Sequence, residues 1–268
     1  MKKPFFDKPA RIFAHRGNSK EYPENTALAF EKAIELGADV IETDAHITKD
    51  GYVVIAHDEE LSNITDGNGK IGELPLLQIK QLDAGYNFTQ DGETYPFRGK
   101  GITIMTLEEM LETFPHQRFN VDLKDNNILL AEKFCDVIEK HNAQHRVVGA
   151  SQHGKNLAYI RKRLPGMATS FGLWGVLGFY FLFRSGLLGL FKQFSGDALQ
   201  IPEFIGPSHL ANGTLVRMAH ERGIQVDVWT VNSERDMRRL LDIEVDGIIT
   251  DDIELLKNVL QDYPLEGE

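Results

Sequence analysis

The sequence predicts a parallel α/β fold, a (β/α)8 TIM-type barrel in one domain, on three observations. Short apolar runs alternate with stretches of helical pattern along the chain. Residues able to do chemistry stand at or near the C-terminal ends of those runs, where barrels of this kind carry their sites. The length, 268 residues, suits one large α/β domain or two small ones with ample core, and no internal repeat or low-complexity linker divides it.

Composition removes several classes of function. The net charge of −11, from 29 basic and 40 acidic residues, argues against a general nucleic-acid binder while leaving room for a local phosphate site. A single cysteine, Cys135, excludes an intrachain disulfide framework and suits a reducing compartment. The opening MKKPFFDKPARIF sets Asp7, Lys8 and two prolines where a signal peptide needs an unbroken apolar core. A cytoplasmic protein is therefore expected. No nucleophile elbow, P-loop or dinucleotide fingerprint is present, so acyl transfer, NTP hydrolysis and hydride transfer lose support.

The elements follow in order. Arg11–Ala14 reads as a strand ending in His15-Arg16-Gly17; after a polar loop, Asn25 or Thr26 caps a helix that Gly37 ends near Leu36. The stretch ADVIETDAHITKDGYVVIAHD (38–58) holds two strand-like runs, Val40–Ile41 and Tyr52–Ala56, joined through the turn chemistry of Lys49-Asp50-Gly51. No helix fits between these runs, so the crossover is expected to be extended loop. From about 59 to 102 the chain turns polar and Gly-rich, an insertion over the strand ends with LPLLQIKQLDAG its helical piece. Thr106 and Glu109 form a capping box before a short helix. RFNVDLK (118–124), VVGAS (147–151), ATSF (168–171), ALQIP (198–202), QVDVWTV (225–231) and DGIITD (246–251) complete nine strand-like runs, with helices between most of them. A barrel needs eight, and ALQIP is taken as the extra, irregular piece.

Strand side chains alternate, so Glu42 and Asp44 share a face and are spaced to share a cation; Asp122 and Lys124 share a face likewise. Three carboxylates without a cysteine ligand make a hard oxygen site, suited to one Mg²⁺ or Ca²⁺ rather than zinc. Arg16 and Lys124 place positive charge beside that cation, as a phosphate requires. His15 and His57 divide the roles of base and acid, in either order. Trp229 completes the set at a strand end. Each has a plainer reading alone: a structural histidine, solvated acids, an inward ion pair, a core tryptophan. That all the plain readings hold while every residue lies at the same end of its strand is improbable.

HRGNSKEYPENT (15–26), ETD (42–44), TKDG (48–51), AHD (56–58), VWTVN (228–232) and DGIITD (246–251), in this order and spacing, resemble the glycerophosphodiester phosphodiesterase family over nearly the whole chain. The resemblance implies a (β/α)8 barrel with a small subdomain inserted after the third strand, matching residues 59–102. It also implies metal ligands at Glu42 and Asp44, catalytic histidines at His15 and His57, and phosphate contact by Arg16. Where the family's fourth strand usually reads Glu-x-Lys, this chain has Asp122-x-Lys124. The aspartate is one methylene shorter, so its bond to a metal calls for a water or a shifted ion. The reaction implied is attack of a substrate hydroxyl on phosphorus, through a cyclic phosphate, with release of an alcohol.

An apolar insertion spans residues 171–194; its stretch FGLWGVLGFYFLFRSGLLGLF (171–191) carries one charge, Arg184. A barrel's outer helix should show a polar face, and a membrane span here would cut the barrel between its strands. Two readings remain: a core or interface segment, and an apolar loop at the strand ends that dips into a bilayer or holds an acyl chain. The second is favoured, with Trp174, Leu177, Phe181 and Arg184 as lipid contacts. Similar insertions occur in the family's lysophospholipase D-like members. A lysophospholipid substrate, with a membrane surface or micelle as partner at the inner membrane face, is the expected function. Cleavage of water-soluble glycerophosphodiesters to glycerol 3-phosphate, and a catalytically weak, membrane-associated binding protein on the same barrel, are the alternatives.

Overall fold

The computed structural model describes residues 3–205 and 208–264. Eight parallel strands form the barrel wall: β1 (Ile12–His15), β2 (Val40–Ile47), β4 (Arg118–Leu123), β5 (Val147–Ala150), β6 (Ala168–Thr169), β7 (Ala198–Pro202), β10 (Gln225–Trp229) and β11 (Gly247–Thr250). Their order in space is β6-β5-β4-β2-β1-β11-β10-β7, and a parallel bridge from Ser170 to Ala198 closes the ring. Of the nine runs read from the sequence, the extra one is Tyr52–Ala56, not ALQIP. ALQIP is β7, paired in register with β10. The run at 52–56 contains β3 (Val53–Ile55), which folds back antiparallel on β2 with Ala45 opposite Ile55. The reason is length: the few residues around Gly51, whose φ is +86°, close a hairpin but cannot make a parallel crossover. A small pair, β8 (Phe204–Ile205) and β9 (Ser208–His209), stands apart from the barrel.

The helices are α1 (Ala27–Leu36), α2 (Leu61–Ile64), α3 (Leu76–Ile79), α4 (Leu107–Thr113), α5 (Ile128–Lys140), α6 (Gly154–Arg163), α7 (Leu173–Arg184), α8 (Gly213–His220), α9 (Glu234–Asp242) and α10 (Ile253–Leu260). Their starts are written in the sequence: Thr26, Thr106, Asn127, Asn212, Ser233 and Asp252 each accept a backbone N–H of the first turn. Thr106 and Glu109 complete the capping box. Buried leucines and isoleucines on the inner faces of α5, α6, α8, α9 and α10 join the outward residues of the strands in one continuous core. A turn at Pro4–Asp7 drives Phe5 against Phe13, Val40, Val148, Ala168 and Ile249, closing the barrel's N-terminal end. Residues 59–102 carry α2, a 3-10 turn at Ile71–Glu73 and α3, and Leu61, Ile71 and Ile79 pack with Val54, Ala56 and Ile104 in a core of their own.

Turn geometry at the end of β1 is tightly constrained. Gly17 has φ +85°, and a Cβ there would lie 2.8 Å from the backbone carbon of Ala29. Gly17→Ala is therefore expected to destabilise the protein by about 2 kcal/mol or more in urea unfolding. Gly92→Ala, at φ +76° but facing open space, should cost no more than about 1 kcal/mol. Equal losses for the two would refute the close packing of this turn on α1.

Candidate active site

The strands place the chemical groups in layers. His15 stands opposite Glu42 across β1 and β2, and Glu42 opposite Asn120 across β2 and β4. Asp44 stands opposite Asp122 one step toward the C-terminal mouth. Asp44 is 1% exposed, and positively charged neighbours hold its charge. Lys124 Nζ lies 2.8 Å from Asp44 Oδ1 and 2.8 Å from Asp122 Oδ2, bridging the two carboxylates. Arg16 Nε lies 3.5 Å from Asp44 Oδ2, which also accepts a 3.1 Å hydrogen bond from Asn25 Nδ2. The Thr43 hydroxyl fixes that amide by donating to Asn25 Oδ1 at 2.6 Å. Burial alone would raise the Asp44 pKa, but Lys124 and Arg16 reverse the effect and lower it. Lys124 is raised in turn: burial opposes its charge, and Asp122 and Asp44 outweigh burial.

Glu42 is different. Its Oε2 is buried without a hydrogen-bond partner, and burial, with the charge of Asp44 next, pushes its pKa up to about 8. A carboxyl so placed wants either a proton or a positive charge. Across the strands it faces His15 and Asn120. The oxygens of Asn120, Asp44 and Asp122 in the same cavity suit a hard divalent cation, although those of Glu42, Asp44 and Asp122 do not all lie within 4.8 Å of one another. Among the described residues, a group of three acidic or histidine side chains whose ligand atoms all lie within 4.8 Å of one another occurs elsewhere, at Glu108, Glu112 and His141. There Glu108 is already paired with Lys140 and, at 3.2 Å, with His141, so that surface group is satisfied as it stands.

Both histidines expected in catalysis are held through Nδ1, leaving Nε2 for the cavity. His15 Nδ1 lies 2.6 Å from Asp251 Oδ1, and Asp251 takes further bonds from Asn232 Nδ2 at 2.6 Å and Ser19 Oγ at 3.1 Å. Burial would lower the His15 pKa; the hydrogen bond to Asp251 and the charge of Glu42 raise it instead. His57 Nδ1 lies 2.7 Å from Asp58 Oδ1, and Asn63 donates to the other oxygen at 2.8 Å. His46, buried on β2, bridges Asp125 Oδ1 at 2.6 Å and the His57 carbonyl at 3.0 Å. Arg16, in a left-handed conformation with φ +56°, reaches Glu24 at 3.0 and 3.1 Å.

These groups line one cavity of about 480 Å³. Its charged end holds His15, Arg16, Glu42, Asp44, His57, Asp122 and Lys124; its opposite wall is apolar, built of Phe171, Leu173, Val176, Pro202 and Trp229. Trp229 is 44% exposed at the rim, in place of the core position a lone tryptophan would suggest. Helix α7 thus turns Leu173 and Val176 toward the cavity. Trp174, Leu177, Phe181 and Arg184 lie outside that lining and face outward, Trp174 81% exposed and Phe181 66%. Among the described residues, no helix is long and apolar enough to cross a membrane.

Residues 15–255 match the glycerophosphoryl diester phosphodiesterase family. The chain belongs to this family and is a phosphodiesterase. It is 35% identical over 257 residues to a glycerophosphodiester phosphodiesterase of Caldanaerobacter subterraneus subsp. tengcongensis, covering 93% of this chain and 97% of that one. It is 31% identical over 278 residues to the lysophospholipase D GDPD1 of Homo sapiens, covering 95% of this chain and 87% of the relative. Its fold superposes with a TM-score of 0.76 on a phosphodiesterase of Oleispira antarctica solved with the product sn-glycerol-3-phosphate, at 25% identity, with 94% and 97% of the two chains covered.

In this phosphodiesterase, the groups that orient the site were less legible in the sequence than the groups that line it. Asp251 closes the DGIITD run, so its position at a strand end was the available signal. Of the two caps read in the sequence, Asn25 and Thr26, Thr26 is the one used, and the Asn25 amide serves Asp44. His46 and Asn120 carry no local signal beyond their alternation with Asp44 and Asp122. Removing the charge of Asp44 leaves Lys124 and Arg16 facing a buried neutral group. Asp44→Ala is expected to destabilise the phosphodiesterase by about 3 kcal/mol, whereas Asp122→Ala should cost about 1 kcal/mol or less, because Asp44 still pairs Lys124. Urea unfolding of both variants checks this, and a larger loss for Asp122→Ala would contradict the assignment of Asp44 as the central counter-ion.

Proposed function

We propose that the protein is a divalent-cation-dependent phosphodiesterase that cleaves a lysophospholipid between phosphate and headgroup alcohol, in the manner of a lysophospholipase D. The observation that carries the substrate class is the apolar wall of Phe171, Leu173, Val176 and Trp229, facing the charged end of the same cavity. A water-soluble glycerophosphodiester needs no such wall, whereas an acyl chain gains about 0.8 kcal/mol for each CH₂ removed from water. The human relative's name, lysophospholipase D, supports the lysophospholipid, while the product sn-glycerol-3-phosphate in the solved relative supports cleavage between phosphate and headgroup alcohol, a bond that both substrate classes share. The exposed Trp174, Leu177 and Phe181, with Arg184 at the end of α7, suit shallow insertion at a membrane surface or micelle.

Glu42, Asp44 and Asp122 would hold one Mg²⁺ or Ca²⁺, which neutralises phosphate charge and lowers the pKa of a substrate hydroxyl. Arg16, within reach of Asp44 and the cavity, binds a phosphate oxygen, and Lys124 adds charge beside it. One of the two histidines takes the proton from the free glycerol hydroxyl as its oxygen attacks phosphorus. The other gives its proton to the departing alcohol oxygen as the P–O bond breaks. A cyclic phosphate results, and water opens it with the two histidines exchanging roles. Asp251 and Asp58 hold the rings so that Nε2 meets the substrate.

His15→Ala and His57→Ala are each expected to lower kcat at least about 100-fold with folding nearly unchanged. Asp251→Asn should lower kcat about tenfold or more while KM stays within about twofold, since Asp251 orients His15 without touching substrate. A near wild-type rate in any of the three would remove that residue from the mechanism.

The substrate class is tested separately, with lysophosphatidylcholine against glycerophosphocholine, each with and without chelator. Chelator should abolish both activities, and the lysophospholipid should be preferred. Leu177→Asp and Phe181→Asp should reduce micellar turnover about tenfold while sparing the soluble diester. Preference for glycerophosphocholine, with neither substitution having an effect, would return α7 to ordinary packing.

A further inference from the structure

Two buried oxygen atoms on residues that line the cavity have no donor. Glu42 and Asn120 stand opposite each other on β2 and β4, both are more than nine-tenths buried, and both line the cavity. Glu42 Oε2 and Asn120 Oδ1 each lack a hydrogen-bond partner. An unsatisfied buried polar atom costs about 1–3 kcal/mol, so two side by side call for a ligand that serves both.

The orientation of the Asn120 amide follows from a chain of buried groups behind it. Gln200 and Asp227 stand opposite each other across β7 and β10. Gln200 Nε2 donates to Asp227 Oδ2 at 3.2 Å, which leaves Gln200 Oε1 to accept from Asn120 Nδ2 at 3.5 Å. One oxygen of Asp227 remains an acceptor whether or not the carboxyl carries a proton, so the direction of the chain holds in both states. With its N–H group committed to Gln200, Asn120 turns Oδ1 into the cavity. Asp122, by contrast, lies one layer nearer the mouth and has Lys124 Nζ 2.8 Å away.

We propose that Asn120 is a further oxygen ligand of the divalent cation, completing its site at the floor together with Glu42. The assignment rests on the cation-dependent reading above and extends it. Mg²⁺ and Ca²⁺ take amide carbonyl oxygens as readily as carboxylates, so an amide beside two acids is a suitable set. It also relieves the short Asp122, whose charge is balanced by Lys124.

The test is direct binding, without substrate or turnover: isothermal titration of Mn²⁺ into the wild-type protein, Asn120→Leu and Asn120→Asp at neutral pH. Asn120→Leu should weaken Mn²⁺ binding about tenfold or more. Asn120→Asp, which keeps the oxygen and adds charge, should bind as tightly as wild type or more so, which also separates the effect from loss of folding. If both variants bind Mn²⁺ like the wild type, the role of Asn120 is refuted while the cation-dependent reading stands. If the wild-type protein binds no Mn²⁺, the cation-dependent reading falls, and this assignment with it.

Discussion

The buried carboxylate of Asp44 is the group on which the rest of the site depends. Three segments distant in sequence meet on it: the loop after β1 through Arg16 and Asn25, β2 itself, and the end of β4 through Lys124. A charge in so dry a place is tolerated only because each of its oxygens has a partner. The same bonds draw the loop bearing Arg16 over the strand ends, where a phosphate oxygen would lie. Positive charge is thus stored against Asp44 and Asp122 before any substrate arrives. Pre-positioned charge of this kind avoids reorganisation during the reaction.

The second constraint is conflict within one cavity. Its charged end asks for water or ions, and its apolar wall asks for hydrocarbon. A substrate with a phosphodiester at one end and an acyl chain at the other meets both demands at once. Helix α7 carries the conflict outward. Phe179 anchors it against Phe171 and Phe194, with ring centroids 5.9 and 5.0 Å apart, and Val176, Tyr180, Leu182 and Phe183 are partly buried against the core, while Leu173, Trp174, Leu177 and Phe181 stay exposed. One face of the helix is ordinary core, as the first of the two readings of this segment from sequence expects. The anchoring explains why so apolar a helix stays attached to the barrel; the exposed face is what packing leaves unexplained and a lipid surface would cover.

Strand alternation is a local property, and what depends on it was open to reading in the sequence alone. Glu42 with Asp44, and Asp122 with Lys124, share faces because side chains two apart on a strand must. The barrel, the caps at Thr26 and Thr106, and the chemistry gathered at the strand ends all follow from short-range pattern. So does the family, since its motifs are contiguous. What needed the tertiary structure was every relation between segments. Whether Tyr52–Ala56 or ALQIP belongs to the barrel turns on which strands they pair with: β3 folds back on β2, whereas ALQIP joins β10, 27 residues further on. Asp251 meets His15 across 236 residues, and Asp125 meets His46 across 79. The Asn120 amide points into the cavity because Gln200 and Asp227, on the far side of the barrel, leave it no other direction. Sequence determined which groups this protein has for chemistry; the closing of the barrel decided which of them touch, because hydrogen bonds act over about 3 Å of space and not along the chain.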